Sequence, residues 1–213
     1  MRPLSFTATL LALTLSLSAA PAAAQPEELG YERDLSFRVL LGGLDGEENS
    51  MGLHADSARY TVGLGASAPV ALDGRLEANL ELWLTERAYD TAVVPAPLDT
   101  ASNTTTFTAA ALTYGLRLQP VTGHLRPYAM ANFGFQGSRL RTTGRAAGRS
   151  DAVEEEIITP TLHVGVGVVW IRGRDAFGID YRRWFTEGEF RDFGIEDVQL
   201  GGEYLGVSLG TRW

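Results

Sequence analysis

The chain has 213 residues, of which 18 are basic and 26 acidic, with a formal net charge of -8 and no cysteine. This length allows one domain or at most two small ones, and the acidic balance argues against a nucleic-acid partner. Without cysteine, neither a disulfide framework nor a cysteine metal site is possible.

The first 24 residues have the pattern of a secretory signal peptide. Arg2 precedes an apolar run over 10–17, and three alanines over 22–24 close the segment. The run is too short to cross a bilayer as a helix, and the small residues match a cleavage site. We therefore predict a cleaved signal peptide at 1–24 and a single domain at 25–213; an uncleaved anchor is the alternative.

The rest of the chain is dominated by a two-residue alternation of apolar and polar side chains, which is typical of strands with two different faces. In the clearest segment, Leu80, Leu82 and Leu84 alternate with Glu81 and Trp83. No helical period competes with this pattern after residue 30. The alternation predicts eight strands, at about 33–43, 57–67, 75–88, 106–118, 127–138, 157–171, 176–185 and 203–213.

The connections between these segments alternate between long and short. The long ones cover about 44–56, 89–105, 139–156 and 186–197, and the short ones cover 68–74, 119–126 and 172–175. Long outer loops, short inner turns and an even strand number are typical of barrels in the bacterial outer membrane. We predict an all-β fold, an eight-stranded antiparallel up-and-down transmembrane β-barrel.

The residues of the polar face indicate whether this face points into the barrel or out of it. It is rich in glycine, which leaves room for larger polar side chains inside a narrow eight-stranded barrel. It also carries charges of both signs, and an Arg facing lipid near the midplane would cost about 2–4 kcal/mol. Arg183 alone has outward parity, near the upper end of its strand, where it can reach the headgroups. We predict a charge network in the lumen, formed by Arg38, Glu77, Glu81, Arg117, Asp180 and Arg182.

Three aromatic residues fall at strand ends on the side of the short turns. Trp170 and Phe177 flank the third short turn, and Trp213 ends the last segment. Aromatic side chains form girdles at both boundaries of transmembrane barrels. We predict that these three form one arc of the periplasmic girdle.

The signal peptide, the eight segments, the stretch RPYAMANFGF and the terminal aromatic residue resemble the small outer-membrane barrels of Gram-negative bacteria, of the OmpA/OmpX or porin type. In that family the last strand carries a signal that the outer-membrane assembly machinery reads. The positions that match it here are Leu205, Val207, Leu209 and Trp213. The terminal Trp replaces the usual Phe, and Thr211 replaces an apolar residue. The resemblance implies export to the outer membrane and contact with its lipids and lipopolysaccharide, but no particular activity.

The histidines provide little support for a catalytic site. His54 and His124 lie in predicted connections, and His163 has inward parity with no serine two residues on. A lipid A-modifying enzyme of the serine–histidine type needs both side chains within hydrogen-bond reach at the membrane edge. We therefore expect no enzyme, although such an activity remains an alternative.

Two acidic stretches and one basic stretch fall in the predicted long connections. The acidic stretches at 45–49 and 151–156 match no defined calcium loop, so we expect solvated loops and no metal site. The basic stretch has two interpretations, contact with lipopolysaccharide phosphates or an ordinary charged loop. It contains Arg139, Arg141, Arg145 and Arg149.

These patterns together predict a monomeric outer-membrane barrel without a cofactor, with a largely filled polar lumen and a structural or surface-interaction role. Three other functions remain open: a narrow pore for small solutes, a lipid A-modifying enzyme, and a soluble secreted barrel that binds a ligand. Since no segment follows Trp213, we expect no peptidoglycan-binding tail.

Overall fold

The computed structural model describes residues 35–45, 60–89, 102–121, 123–146 and 149–212. The predicted signal peptide at 1–24, His54 and Trp213 lie outside the described residues, so the predictions made for them are not tested. Within the described part, no helix is long and apolar enough to cross a membrane.

Strands make up most of the described chain. Two short 3₁₀ turns, Leu72–Gly74 and Arg191–Phe193, lie between them. The strands are β1 (Ser36–Asp45), β2 (Tyr60–Ala71), β3 (Leu76–Tyr89), β4 (Ser102–Leu118), β5 (Leu125–Ala146), β6 (Arg149–Arg172), β7 (Asp175–Phe185), β8 (Glu187–Phe190), β9 (Ile195–Gln199) and β10 (Gly202–Arg212).

Eight of these strands close into one antiparallel barrel. Each of β1 to β7 pairs with its neighbour in the chain, and β10 pairs with both β7 and β1. At the closing seam Ser36 lies opposite Arg212 and Asp45 lies opposite Glu203. The predicted fold, an eight-stranded up-and-down barrel, is confirmed. β8 and β9 form a separate two-stranded hairpin.

The three short connections lie at one end of the barrel, called the turn end below; the opposite end is called the loop end. The turn between β6 and β7 is the tightest, because Arg172 pairs directly with Asp175. Gly173 adopts a φ of 60° there, a left-handed conformation that glycine reaches without steric cost.

The predicted third long connection, at 139–156, is wrong. β5 continues to Ala146 and β6 begins at Arg149, so nearly all of this stretch is paired strand. Both Arg145 and Arg149 and the acidic stretch 151–156 therefore belong to strands. Several outward positions there are charged, and this charge made the strands resemble a loop; they are Arg139, Arg141, Glu154 and Glu156. The predicted connection at 186–197 likewise contains β8 and most of β9.

The barrel is inverted relative to a soluble protein. Its outer surface is apolar: Leu162, Val164, Val166, Val168 and Trp170 of β6 are all exposed, as are their counterparts on the other strands. These five positions span about 26 Å of strand at about 3.3 Å per residue, or about 20 Å along a barrel axis tilted by about 40°. Side chains at both edges extend this apolar belt towards the ~25 Å band of outer-membrane barrels.

Candidate functional site in the barrel interior

Inside the barrel, glycines lie opposite large side chains on the neighbouring strand, and this arrangement leaves room for those side chains. Gly165 lies across from Arg182 in the pairing of β6 with β7, and Gly63 lies across from Trp83 in the pairing of β2 with β3. A Cβ atom added at Gly165 would lie 2.8 Å from Cγ of Arg182, and one at Gly63 would lie 2.9 Å from the Trp83 ring. The glycines of the polar face therefore provide the volume that these side chains occupy.

Glu81 of β3 is the centre of the interior. Its Oε2 atom accepts hydrogen bonds from Arg182 Nη1 at 2.5 Å, Trp83 Nε1 at 3.1 Å and Asn132 Nδ2 at 3.2 Å. Arg38 Nη2 lies 3.8 Å from its other oxygen. Because Glu81 is fully buried, these donors replace the water that its charge would otherwise require.

Arg182 joins Glu81 to a second carboxylate. Its Nη2 atom donates to Asp180 Oδ1 at 3.1 Å, and Tyr128 donates its hydroxyl to the same oxygen. The Arg182 guanidinium also lies 4.7 Å from the centroid of the Trp83 ring. Arg38, Glu81, Asp180 and Arg182 thus form one connected cluster, called the ionic network below.

The other two predicted lumen residues form a separate pair nearer the turn end. Arg117 Nη1 lies 3.7 Å from Glu77 Oε2, and the two residues are direct cross-strand partners. The Arg117 guanidinium lies 3.7 Å from the centroid of the Tyr128 ring. The six charges predicted for the lumen all face inward, but the structure divides them into four and two.

Aromatic side chains occupy the interior on the loop-end side of the ionic network. The Trp83 ring meets Trp184 and Tyr204 edge-on, with centroids 5.4 Å and 5.1 Å apart. His163 stacks on Trp184 at 4.2 Å, and its Nε2 atom is 3.1 Å from the Thr113 hydroxyl. His163 is therefore an interior side chain, as its parity predicts.

The β8–β9 hairpin packs inside the loop end. Phe190 and Ile195 are almost fully buried against Phe107 and Leu140, whose side chains point inward from β4 and β5. Glu155 of β6 accepts backbone hydrogen bonds from the turn of the hairpin. This second apolar cluster lies at the loop end of the lumen, above the aromatic layer, and is called the outer cap.

Several interior residues were not predicted as members of the network. Tyr128 and Asn132 contact its carboxylates, Arg126 is buried near the turn end, and Arg87 donates to the carbonyl of Gly201 at 3.1 Å. All four share the parity of the polar face, so that signal was available. The network was predicted from charged residues in the middle of strands. Uncharged side chains and arginines close to strand ends were therefore missed.

Two residues of the predicted periplasmic aromatic arc, Trp170 and Phe177, lie on the outer surface at the turn end. The Trp170 and Phe177 rings are 6.1 Å apart and about half exposed, and Trp213 lies outside the described residues. Arg183 also faces outward, with Nη1 at 3.9 Å from Glu203. The predicted assembly-signal residues are exposed on β10, namely Leu205, Val207 and Leu209.

Beyond the apolar belt, β5 and β6 carry a ladder of opposite charges. Arg139 Nη2 donates to Glu154 Oε1 at 2.5 Å, and Arg141 Nε lies 3.8 Å from the other Glu154 oxygen. The hydrogen bond from Arg139 holds the pKa of Glu154 below its ordinary value. In this ladder Arg139 and Arg141 therefore pair with Glu154 and Glu156 of the acidic stretch. In the described residues, no group of three or more histidine or acidic side chains could hold a metal ion.

A closed eight-stranded barrel with an apolar exterior and an ionic interior defines the class of small transmembrane β-barrels. Structural comparison finds the same fold in solved outer-membrane proteins. The Pseudomonas aeruginosa outer membrane protein OprG superimposes with a TM-score of 0.59 at 12% identity, over 88% of this chain and 99% of that one. Ail, the attachment invasion locus protein of Yersinia pestis, gives 0.51 at 14% identity, over 84% and 99%.

A major outer membrane protein of Thermus thermophilus also gives a TM-score of 0.51, at 10% identity, over 84% of this chain and 98% of that one. The sequence matches no protein-family model and no curated protein. At these identities the likeness is one of fold alone.

Proposed function

We propose that this protein is an integral outer-membrane barrel with a closed lumen and a structural or surface-interaction role. One observation carries the proposal: the exterior exposes a continuous belt of Leu, Val and aromatic side chains, while Arg182 and Glu81 are fully buried within. In water such a belt would be far larger than the apolar patches that soluble monomers tolerate. In a bilayer it is the expected lipid-facing surface.

Gel mobility of the detergent-extracted protein tests the membrane location. A folded transmembrane barrel remains compact in mild SDS without heating and changes mobility after boiling, because its closed sheet resists the detergent. We expect this shift, together with recovery of the protein in the outer-membrane fraction. Recovery in the aqueous periplasmic fraction without detergent would contradict the membrane proposal and favour a soluble ligand-binding barrel.

The closed lumen is supported at two levels. The ionic network crosses the interior through contacts between β1, β3 and β7, and the outer cap fills the loop end. An eight-stranded barrel has an interior just wide enough for side chains to fill. In planar bilayers we therefore expect a conductance no higher than that of protein-free membranes. Discrete channel openings would favour the narrow-pore alternative instead.

A non-enzymatic role is the further part of the proposal. The two histidines in the described chain each contact a partner other than serine: His163 contacts Thr113, and His124 Nδ1 lies 3.1 Å from the carbonyl oxygen of Ile171. Mass spectrometry of lipid A from cells expressing the protein should show no change against cells with an empty vector. Loss or transfer of an acyl chain would identify the lipid A-modifying alternative.

A further inference from the structure

The turn end of the lumen contains a basic recess that the structural role does not use. It opens beneath the ionic network, and its lining comes from β1, β3, β4, β5 and β6, the start of β7 and the end of β10. Its described charged lining consists of one carboxylate, Glu77, and four arginines: Arg38, Arg117, Arg126 and Arg212. The local charge is therefore strongly positive in a chain whose net charge is -8.

Two of these arginines are buried with unused donors. The side chains of Arg38 and Arg117 are 2% and 3% exposed. Within the described residues, Nε and Nη1 of Arg38 and Nε and Nη2 of Arg117 have no hydrogen-bond partner. Buried guanidinium nitrogens normally find acceptors, because an unsatisfied buried donor is costly and more so when the group is charged.

The two guanidinium groups are also held in place. Arg38 Nη2 donates to Asn79 Oδ1 at 3.2 Å, and the Arg117 guanidinium packs over the Tyr128 ring at 3.7 Å from its centroid. Both guanidinium groups line the same recess, so their like charges repel each other. An anion between them would satisfy the unused donors and relieve that repulsion, and two guanidinium groups fit the several acceptor oxygens of a tetrahedral oxyanion.

We propose that this recess, which on the proposed orientation opens to the periplasm, binds a compact oxyanion of the phosphate class. Arg38 and Arg117 supply the principal donors, Arg126 and Arg212 add positive potential, and Glu77 limits the affinity by repulsion. The recess lies in the lumen and opens away from the lipid-facing surface, so a free phosphate group reaches it more directly than a headgroup in the bilayer does.

Inorganic phosphate is the probe for the test. The purified full chain, folded in zwitterionic detergent without phosphate groups, is titrated calorimetrically at constant ionic strength. We expect saturable binding. Arg117→Gln should weaken it by about tenfold or more, since it removes a charge-assisted donor. Glu77→Gln should strengthen it, because the one carboxylate of the recess loses its charge.

The two variants change the affinity in opposite directions, so a failure of Arg117→Gln to fold leaves the Glu77→Gln result decisive. Arg139→Gln, in the ladder beyond the apolar belt, is the matched control and should leave the affinity unchanged. Absence of saturable binding to the folded wild type, or an unchanged affinity in both recess variants, would overturn the proposal. The test needs only the folded barrel, so its result is independent of the membrane and conductance experiments.

A second arm distinguishes the source of the phosphate group. The titration is repeated in nanodiscs of phosphatidylglycerol and in nanodiscs of an uncharged glycolipid. If a headgroup phosphate occupies the site, phosphatidylglycerol will compete and weaken the apparent affinity for inorganic phosphate. Equal affinities in both bilayers identify the free ion as the ligand.

Discussion

The pairing of a glycine with a large inward side chain is the repeating residue-level device of this barrel. Gly165 faces Arg182, and Gly210 makes room for Arg38 in the same way. These glycines cannot be exchanged even for alanine without displacing a buried neighbour, whereas a Cβ added at Gly43 of β1 would have no atom within 4 Å. The two kinds of glycine differ in the free volume beside their Cα atoms. A glycine-to-alanine substitution, which adds one methyl group, tests this difference.

Gly165→Ala should lower the free energy of unfolding by about 1–3 kcal/mol, the usual cost of overpacking. The added Cβ would lie 2.9 Å from the backbone carbonyl oxygen of Tyr181, which cannot move aside as a side chain can. Gly43→Ala is the matched control, because nothing lies within 4 Å of its added Cβ. Urea unfolding of both variants in lipid vesicles measures the difference, and equal effects would argue against the volume explanation.

Glu81 is the residue whose loss should cost most within the ionic network. Glu81→Gln leaves the buried charges of Arg182 and Arg38 with less compensation, so we expect a loss of about 3–5 kcal/mol in the free energy of unfolding. The exposed Glu154→Gln change is its control and should have a much smaller effect, since surface pairs contribute little. A loss no larger for Glu81→Gln than for Glu154→Gln would show that the network is not a stabilising unit.

The outer parts of β5 and β6 are the element that best separates what the sequence can and cannot predict. Within the membrane span, apolar outward residues alternate with polar inward ones, and the parity placed Trp83 and His163 inside. Beyond the span the outward residues are charged, as at Arg139 and Glu154. The difference in polarity between the outward and inward faces then becomes small, although the strand continues. The apolar–polar alternation in the sequence therefore marks the end of the apolar belt and not the end of the strand.

The packing within the lumen was less predictable than the fold. Parity assigns Tyr128, Asn132 and Arg126 to the interior, but alternation carries no information about which strands bring them together. Glu81 meets Arg182 across the lumen although 101 residues separate them in the chain. Such a contact depends on the register of every intervening strand pair, which alternation alone does not determine.

The charge ladder of β5 and β6 should weaken in acid. The pKa of Glu154 is lowered by its hydrogen bond from Arg139, so the pair is intact above the ordinary carboxyl range of about 4.3. It is lost as the pH falls through the lowered pKa of Glu154. NMR titration should show Arg139→Gln raising that pKa towards its ordinary value. Arg191→Gln, in the hairpin turn, should leave it unchanged, and a similar effect of both variants would contradict the assignment.

At the scale of the whole molecule, the apolar belt should respond to charge according to depth. Val166→Arg, in the middle of the outward positions of β6, should cost about 2–4 kcal/mol in bilayer unfolding experiments. Ile158→Arg, on the same face but beyond the belt and 80% exposed, should cost about 0–1 kcal/mol. Equal costs at the two positions would mean that the belt does not contact lipid.

The closing seam has a consequence for how the molecule is made. The ten residue pairs that join β1 to β10 connect the two most distant strands of the chain, from Ser36–Arg212 to Asp45–Glu203. Until the last strand has left the ribosome and reached the first, both carry unpaired backbone edges that invite aggregation. The cylinder therefore cannot close until the last strand is available, and the pairing of β10 with β1 is the step that completes it.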